Sequence, residues 1–122
     1  MKNSLIPKKN LIPGQYYWCT HNNYSVLLLL KYIDKDIFQE NEQSEIIRNV
    51  RVMYEGYVNI NKSRIPKNYL VPKRHYWCRF RDENKLILMR YENDQTFYSI
   101  SHDVFWPSSD VKVIFEDYEE NA

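Results

Sequence analysis

The sequence SLIPKKNLIPGQYYWCTHNNYSVLLLLKY at residues 4–32 recurs, with changes, as SRIPKNYLVPKRHYWCRFRDENKLILMRY at residues 63–91. The two stretches lie 59 residues apart and are identical at 12 of 29 positions, including one shared Tyr-Trp-Cys tripeptide. Self-similarity at a fixed period indicates a chain built from repeated structural units. The sequence therefore predicts a tandem repeat, with repeat one at residues 1–60 and repeat two at residues 61–122.

The end of each repeat also matches. VRVMYEGY at residues 50–57 aligns with VKVIFEDY at residues 111–118, now with an offset of 61 residues. The two-residue change in offset falls between the matched stretches. Length changes concentrate in loops, so this is where a duplicated unit is expected to vary.

Alternating apolar and polar residues predict four strands in each repeat. They span residues 15–21, 25–33, 36–39 and 49–58 in repeat one, and residues 74–81, 85–92, 96–100 and 111–118 in repeat two. The aromatic content of 16% favours strands as well, because aromatic rings fit a half-buried pleated surface. No stretch of useful length has helical periodicity. We therefore expect an all-β protein made of small barrels or rolls.

The second predicted strand of each repeat is apolar on both faces. In repeat one, Leu27 and Leu29 point to one face while Leu28 and Leu30 point to the other. Such a strand is covered on both sides, and a unit of 59 residues buries little surface on its own. We therefore expect the two repeats to pack against each other with pseudo-twofold symmetry, as one rigid body.

The closing fragment Phe115-Glu116-Asp117-Tyr118 resembles the hydrophobic-x-Asp-Tyr ending of a Tudor core. Together with the repeat length and the strand-turn-strand start, it makes both repeats resemble tandem SH3-like or Tudor-like barrels. In repeat one, Gly56 stands where this ending has its Asp. The resemblance implies an SH3-like fold. Tudor domains bind methylated Arg or Lys in an aromatic cage, and no cage position is assigned here.

Residues that could carry catalysis or bind a metal show no recognisable pattern. His21, His75 and His102 are not repeated, no spacing matches a zinc site, and two glycines cannot form a phosphate-binding loop. Cys19 and Cys78 align inside strands, where a thiol usually packs as a small apolar group. A reactive thiol or a disulfide between them is the alternative. We expect no enzyme, no cofactor and no metal.

The first strand of repeat two predicts a binding surface. His75, Trp77 and Arg79 alternate along it with a second set of side chains, Tyr76, Cys78 and Phe80. Because burying the guanidinium groups of Arg79 and Arg81 unpaired is costly, the second set is expected to point inward and Trp77 outward. The repeat then places Trp18 outward too.

Exposed Trp and Tyr side chains dominate binding hot spots. The sequence therefore predicts a partner-binding surface made of Tyr16, Trp18, His75, Trp77, Arg79 and Arg81. The alternative is that Trp18 and Trp77 fill the interface between the repeats or lie under a lead-in segment.

Basic residues also recur along the strands and favour a second hypothesis. Cations beside aromatic rings suit single-stranded nucleic acid, because phosphates pair with cations while bases stack on rings. The candidate residues are Lys31, Arg51, Lys73, Arg74, Arg90 and Lys112. The net charge of +1 supplies no global attraction for nucleic acid, and cross-strand ion pairs on solvated faces would explain the same residues.

No apolar run is long enough to span a membrane, and residues 1–7 lack the apolar core of a signal peptide, so we expect a cytoplasmic protein. The expected function is non-enzymatic protein binding. The small size and the Asn, Lys, Tyr and Ile content are compatible with a phage or mobile-element accessory protein that inhibits a host factor such as a defence nuclease. The alternatives are binding of RNA or single-stranded DNA, and of a small ligand between the repeats.

Overall fold

The structure, a computed structural model, describes residues 4–40 and 46–118. The chain divides into two compact units, Met1–Val58 (unit 1) and Asn59–Ala122 (unit 2). Within the described ranges the regular structure consists of β-strands and three short 3-10 turns. The protein is therefore all-β, as the alternation of apolar and polar residues predicts.

Unit 1 is an open antiparallel sheet preceded by a 3-10 turn at Lys8–Asn10. Its strands run in the order β5-β1-β2-β3-β4. Their bounds are β1 Tyr16–Thr20, β2 Val26–Asp34, β3 Ile37–Gln39, β4 Ile46–Ile47 and β5 Arg51–Glu55.

Unit 2 has the same order of strands after a 3-10 turn at Lys67–Tyr69, and it has a second 3-10 turn at Ser108–Asp110 before its last strand. Its antiparallel strands run in the order β10-β6-β7-β8-β9. Their bounds are β6 His75–Phe80, β7 Lys85–Asn93, β8 Thr96–Ser99, β9 Val104–Pro107 and β10 Val111–Glu116.

The repeated Tyr of each unit fixes the segment that leads into its first strand. The Tyr17 hydroxyl accepts a hydrogen bond from the Ile12 N–H at 3.0 Å, and the Tyr76 hydroxyl accepts one from the Val71 N–H at 3.0 Å. Both rings are buried. Since a buried phenol needs a polar partner, the same contact explains why each lead-in takes the same path.

Each unit has its own apolar cluster on one face of its sheet. In unit 1 it contains Leu11, Tyr17, Cys19, Leu30, Tyr32, Phe38, Val50 and Val52, and in unit 2 Leu70, Tyr76, Cys78, Ile87, Met89, Tyr91, Phe97, Val111 and Val113.

Both cysteines are free thiols with no exposed surface, which confirms their predicted place in the core. Burial raises the pKa of Cys19 to about 12 and also raises the pKa of Cys78.

Each of the predicted strands is present, but β4 and β9 were not predicted. They are short, and they lie in the segment where the two repeats differ in length. In β9, only the three β-forming residues Val104 to Trp106 precede Pro107. This run is too short to show an alternation of apolar and polar side chains. The packing of the two repeats against each other stays a prediction.

Candidate functional site

The strand register of unit 2 brings four side chains into one line across the sheet. His75 of β6 lies opposite Arg90 of β7, Arg90 lies opposite Tyr98 of β8, and Tyr98 lies opposite Phe105 of β9. Residues directly opposite each other in an antiparallel sheet point to the same face. We call His75, Arg90, Tyr98 and Phe105 the Arg90 row.

Along the row, Arg90 contacts Tyr98, and Tyr98 contacts Phe105. The guanidinium carbon of Arg90 lies 4.9 Å from the centroid of the Tyr98 ring, within the range of a cation–π contact. The Tyr98 and Phe105 rings are 5.1 Å apart and tilted by 54°, a favourable aromatic geometry. His75, Arg90 and Tyr98 are half-buried, whereas Phe105 is 63% exposed. The row therefore ends in a solvent-exposed ring.

Two carboxylates offset the positive charge near the row. Glu92 accepts hydrogen bonds from Lys73 Nζ at 2.6 Å and from Arg90 Nε at 2.5 Å. The hydrogen bond from Lys73 is the largest cause of a lowered pKa for Glu92. The Tyr98 hydroxyl donates to Asp103, which raises the pKa of Tyr98. The surface around the row is thus mixed in charge rather than cationic.

The outermost strand of the row, β9, has an open edge. Among the described residues it pairs with β8 alone. The Ser108 N–H donates to the Gln95 carbonyl at 2.8 Å, and hydrogen-bonded pairs alternate in an antiparallel ladder. By this alternation, Trp106 forms a hydrogen-bonded pair with Phe97, and Phe105 forms a non-hydrogen-bonded pair with Tyr98. The N–H and C=O of Phe105 therefore point away from β8. Pro107 has no N–H to offer, so Phe105 supplies the amide donor of this edge.

Unit 1 has a row in the same register but of different chemistry. Tyr16 lies opposite Lys31, Lys31 opposite Gln39, and Gln39 opposite Ile46. Tyr16 is 45% exposed and Ile46 is 59% exposed. An amide and an aliphatic chain thus stand where the Arg90 row has two touching rings.

The expectation that Trp18 and Trp77 point to solvent is wrong, since each is 1% exposed. The reason lies in Arg79, which is also buried, at 8% exposed. Its Nε donates to the Glu83 carbonyl at 2.8 Å and its Nη1 to Asn61 Oδ1 at 3.0 Å. A buried guanidinium with such acceptors is not unpaired, so the argument that moved Trp77 outward fails.

The remaining predicted partner-binding residues are at least partly accessible. Tyr16 lies in the row of unit 1, and His75 lies in the Arg90 row. Arg81 follows the last residue of β6, stacks over the Phe80 ring at 4.9 Å and pairs with Asp110 at 3.4 Å. The structure thus brings His75 to the candidate site and places Trp18, Trp77 and Arg79 in the interior.

Most of the residues proposed for nucleic-acid binding already have partners. Arg51 is buried, Arg74 pairs with Glu116 at 3.1 Å, and Lys73 and Arg90 share Glu92. Lys31 and Lys112 are half-buried. Paired cations attract phosphate less than open ones do, because the neighbouring carboxylates cancel part of their field.

Sequence reasoning missed Tyr98 and Phe105, which give the Arg90 row its rings. The available signal was Val104-Phe105-Trp106-Pro107, a β-forming run that follows a polar turn and ends in a residue typical of edge strands. Recognising this run as a strand would have paired it with the one before it.

Among residues 4–40 and 46–118, no three His, Cys, Asp or Glu side chains are arranged to bind a metal ion. The described part of the chain has no helix with the length and apolar character needed to cross a membrane. Comparisons with protein-family models, curated proteins and solved structures give no match to the chain.

Proposed function

We propose that the chain is a non-enzymatic module that binds another protein through the Arg90 row and the adjacent edge of β9. The observation that carries the proposal is Phe105, a large apolar ring that is 63% exposed on an edge strand. Exposed apolar surface next to organised polar groups is typical of protein interaction sites.

The contacts within the row favour a protein partner because they hold the rings in place before binding. Tyr98 is held by Arg90 on one side and by its hydrogen bond to Asp103. A ring that is already ordered loses little side-chain entropy when a partner covers it. Aromatic and Arg side chains are also the residues most enriched at binding hot spots.

The edge of β9 favours a partner segment in extended conformation. The outward N–H and C=O of Phe105 can each bond the backbone of an added strand, as in peptide recognition by strand addition. Pro107 limits that pairing to a short stretch, since it lacks an N–H. Side-chain contacts with the Arg90 row would then supply specificity along the same segment.

The carboxylates argue against nucleic acid at this site. Glu92 and Asp103 lie beside the row's cation and phenol, where they repel phosphate groups. A protein segment can carry both positive and negative groups that pair with this surface, whereas a phosphate backbone carries only negative ones. Binding of RNA or single-stranded DNA is the competing proposal, and it predicts affinity that falls steeply with salt.

The shared strand order and register support a further proposal about the fold. In both units, opposing residues of the first and second strands align by the same offset, as in Tyr16 with Lys31 and His75 with Arg90. We infer that each unit is an SH3-like roll and that the two arose by duplication.

Affinity capture from native lysate, with and without nuclease, tests the proposal when it compares three forms of the protein. These are the unmodified chain, Phe105→Ala, and Tyr57→Ala as a matched control. Tyr57 is an aromatic residue outside the row and is 85% exposed. We expect a protein that survives nuclease treatment, is retained by the control and is lost with Phe105→Ala. Retention by Phe105→Ala, or loss after nuclease treatment, would contradict the proposal.

A further inference from the structure

The two units differ at the end of the sheet where their first and second strands connect. In unit 2 this end carries two stacked rings: Phe80, the last residue of β6, and Trp106 of β9 lie 3.8 Å apart with an angle of 18° between their planes. Both pack against the core cluster of unit 2. Ile87 belongs to that cluster and has no exposed surface.

Unit 1 has smaller side chains at the matching positions. His21 aligns with Phe80 in the repeat. Ile47 takes the place of Trp106, because Ile47 lies opposite Phe38 just as Trp106 lies opposite Phe97. An imidazole and an aliphatic chain therefore replace a phenyl ring and an indole, which leaves less ring volume at this end of unit 1.

A cavity is present in unit 1 at this end. It has a volume of about 230 Å³ and is lined by His21, Asn22, Asn23, Val26 and Leu28. Leu28 is half-buried, although the aligned residue of unit 2, Ile87, is fully buried. The aligned residue for Val26 is Lys85, so the cavity wall is apolar where unit 2 carries a charged chain.

We propose that this cavity binds an aromatic side chain of a partner protein, which packs against His21 and Leu28 as Trp106 packs against Phe80 in unit 2. The second unit shows what this end of the fold accommodates: a flat ring stacked on the residue that ends the first strand. The size agrees, since the cavity is smaller than the ~300–1,000 Å³ typical of drug-sized ligands and suits one ring system.

The polar rim of the cavity suits the edge of such a ring and the backbone that carries it. Asn23 Oδ1 already accepts a hydrogen bond from the Ser25 N–H at 2.8 Å, which fixes the turn between β1 and β2. Asn22 and His21 carry polar groups beside the apolar wall formed by Val26 and Leu28. Apolar walls with a few placed polar groups are the usual composition of a ligand pocket.

The inference rests on the proposed function in one respect: the aromatic ring that the cavity binds belongs to a partner protein. N-acetyl-tryptophan amide is a suitable probe, because it presents the side chain with a capped backbone. Titration followed by amide NMR spectra of the whole chain should give saturable shifts at His21, Val26 and Leu28. N-acetyl-leucine amide should bind about tenfold more weakly or worse, which corresponds to roughly 1.4 kcal/mol of binding free energy.

Two variants copy unit 2 into unit 1. The double substitution His21→Phe with Ile47→Trp restores the ring pair and should abolish binding of the probe. Val26→Lys introduces the chain that unit 2 carries at the aligned position and should weaken binding about tenfold or more, a loss of roughly 1.4 kcal/mol. Val71→Lys, at an exposed valine of unit 2, is the control and should leave the probe's affinity unchanged. Val26→Lys tests the site even if the double variant fails to fold.

Absence of saturable binding to the unmodified chain would overturn the inference. Equal binding of the leucine probe, or undiminished binding to Val26→Lys, would overturn it as well. None of these results bears on the Arg90 row. That site is tested by whether Phe105→Ala loses the partner protein. Conversely, if Phe105→Ala still retains the partner while the probe binds unit 1, the aromatic site in unit 1 is supported and the proposed role of β9 is contradicted.

Discussion

The N–H of Gly56 donates to the carbonyl of Tyr16 at 2.9 Å, and a Cβ at position 56 would stand 2.5 Å from that same oxygen. The aligned residue of unit 2, Asp117, makes the corresponding bond to the His75 carbonyl at 3.1 Å with a full side chain. Unit 1 therefore needs a glycine at this position because of close backbone approach, and unit 2 does not.

Gly56→Ala should destabilise the protein strongly. The atoms that a new Cβ would meet include the backbone carbonyl of Tyr16, which cannot move without breaking the pairing of β1. We expect a loss of about 3 kcal/mol in the free energy of unfolding, at the upper end for overpacking. Gly14→Ala is the control, since its Cβ would meet nothing within 4 Å and only the φ of +88° is unfavourable, at about 1 kcal/mol. Urea denaturation measures both, and equal losses would contradict the steric argument.

Phe105→Ala should weaken partner binding without weakening the fold. A ring that is 63% exposed contributes little burial to the folded state, whereas truncation of an aromatic hot spot costs about 2 kcal/mol or more of binding free energy. Binding assays with the captured partner measure the first effect and thermal denaturation measures the second. A large drop in melting temperature with unchanged affinity would place Phe105 in the fold instead of the interface.

Trp77→Ala should act on stability. The side chain is 1% exposed, and removal of a buried Trp typically costs about 3–5 kcal/mol. Trp18→Ala is the matching change in unit 1 and should cost a similar amount. Urea denaturation of each variant tests this expectation. A well-folded Trp77→Ala with a stability close to that of the unmodified chain would show that the ring is not part of the packed interior.

Glu92 should make the stability depend on pH in the acidic range. Hydrogen bonds from Lys73 and Arg90 lower the pKa of its carboxyl from the usual 4.5. Below pH 4.5 the unfolded chain therefore takes up a proton that the folded chain does not, so this contribution is present above that pH and is lost as the pH falls through the lowered pKa. Melting temperatures of the unmodified chain and Glu92→Gln should differ near pH 7 and converge as the pH falls below 4.5 and through the lowered pKa. A constant difference would contradict the linkage.

The sequence predicted the strands well wherever apolar and β-forming residues extended over several positions, as in β1, β2 and their counterparts in unit 2. It failed for Trp77 because the acceptors that satisfy Arg79 lie in loops, at Asn61 and Glu83. Burial of a charged group depends on such partners, and alternation along a single strand contains no information about them.

The candidate site was only half predictable for a related reason. His75 and Arg90 were each singled out from the sequence, but for different functions, and the register of β6 with β7 places them side by side. Tyr98 and Phe105 join them through β8 and β9, in the segment where the repeats have different lengths. Aligning one repeat with the other cannot determine which residues pair between strands in a segment where their lengths differ.

The two buried thiols offer a way to watch the halves of the chain separately. Cys19 lies in unit 1 and Cys78 in unit 2, both without exposed surface and both with raised pKa values that keep sulfur protonated near neutral pH. An alkylating reagent, which needs the thiolate, should therefore label each sulfur only when its own surroundings open. Peptide mapping after brief exposure would then report whether the two units lose their structure in one event or in succession.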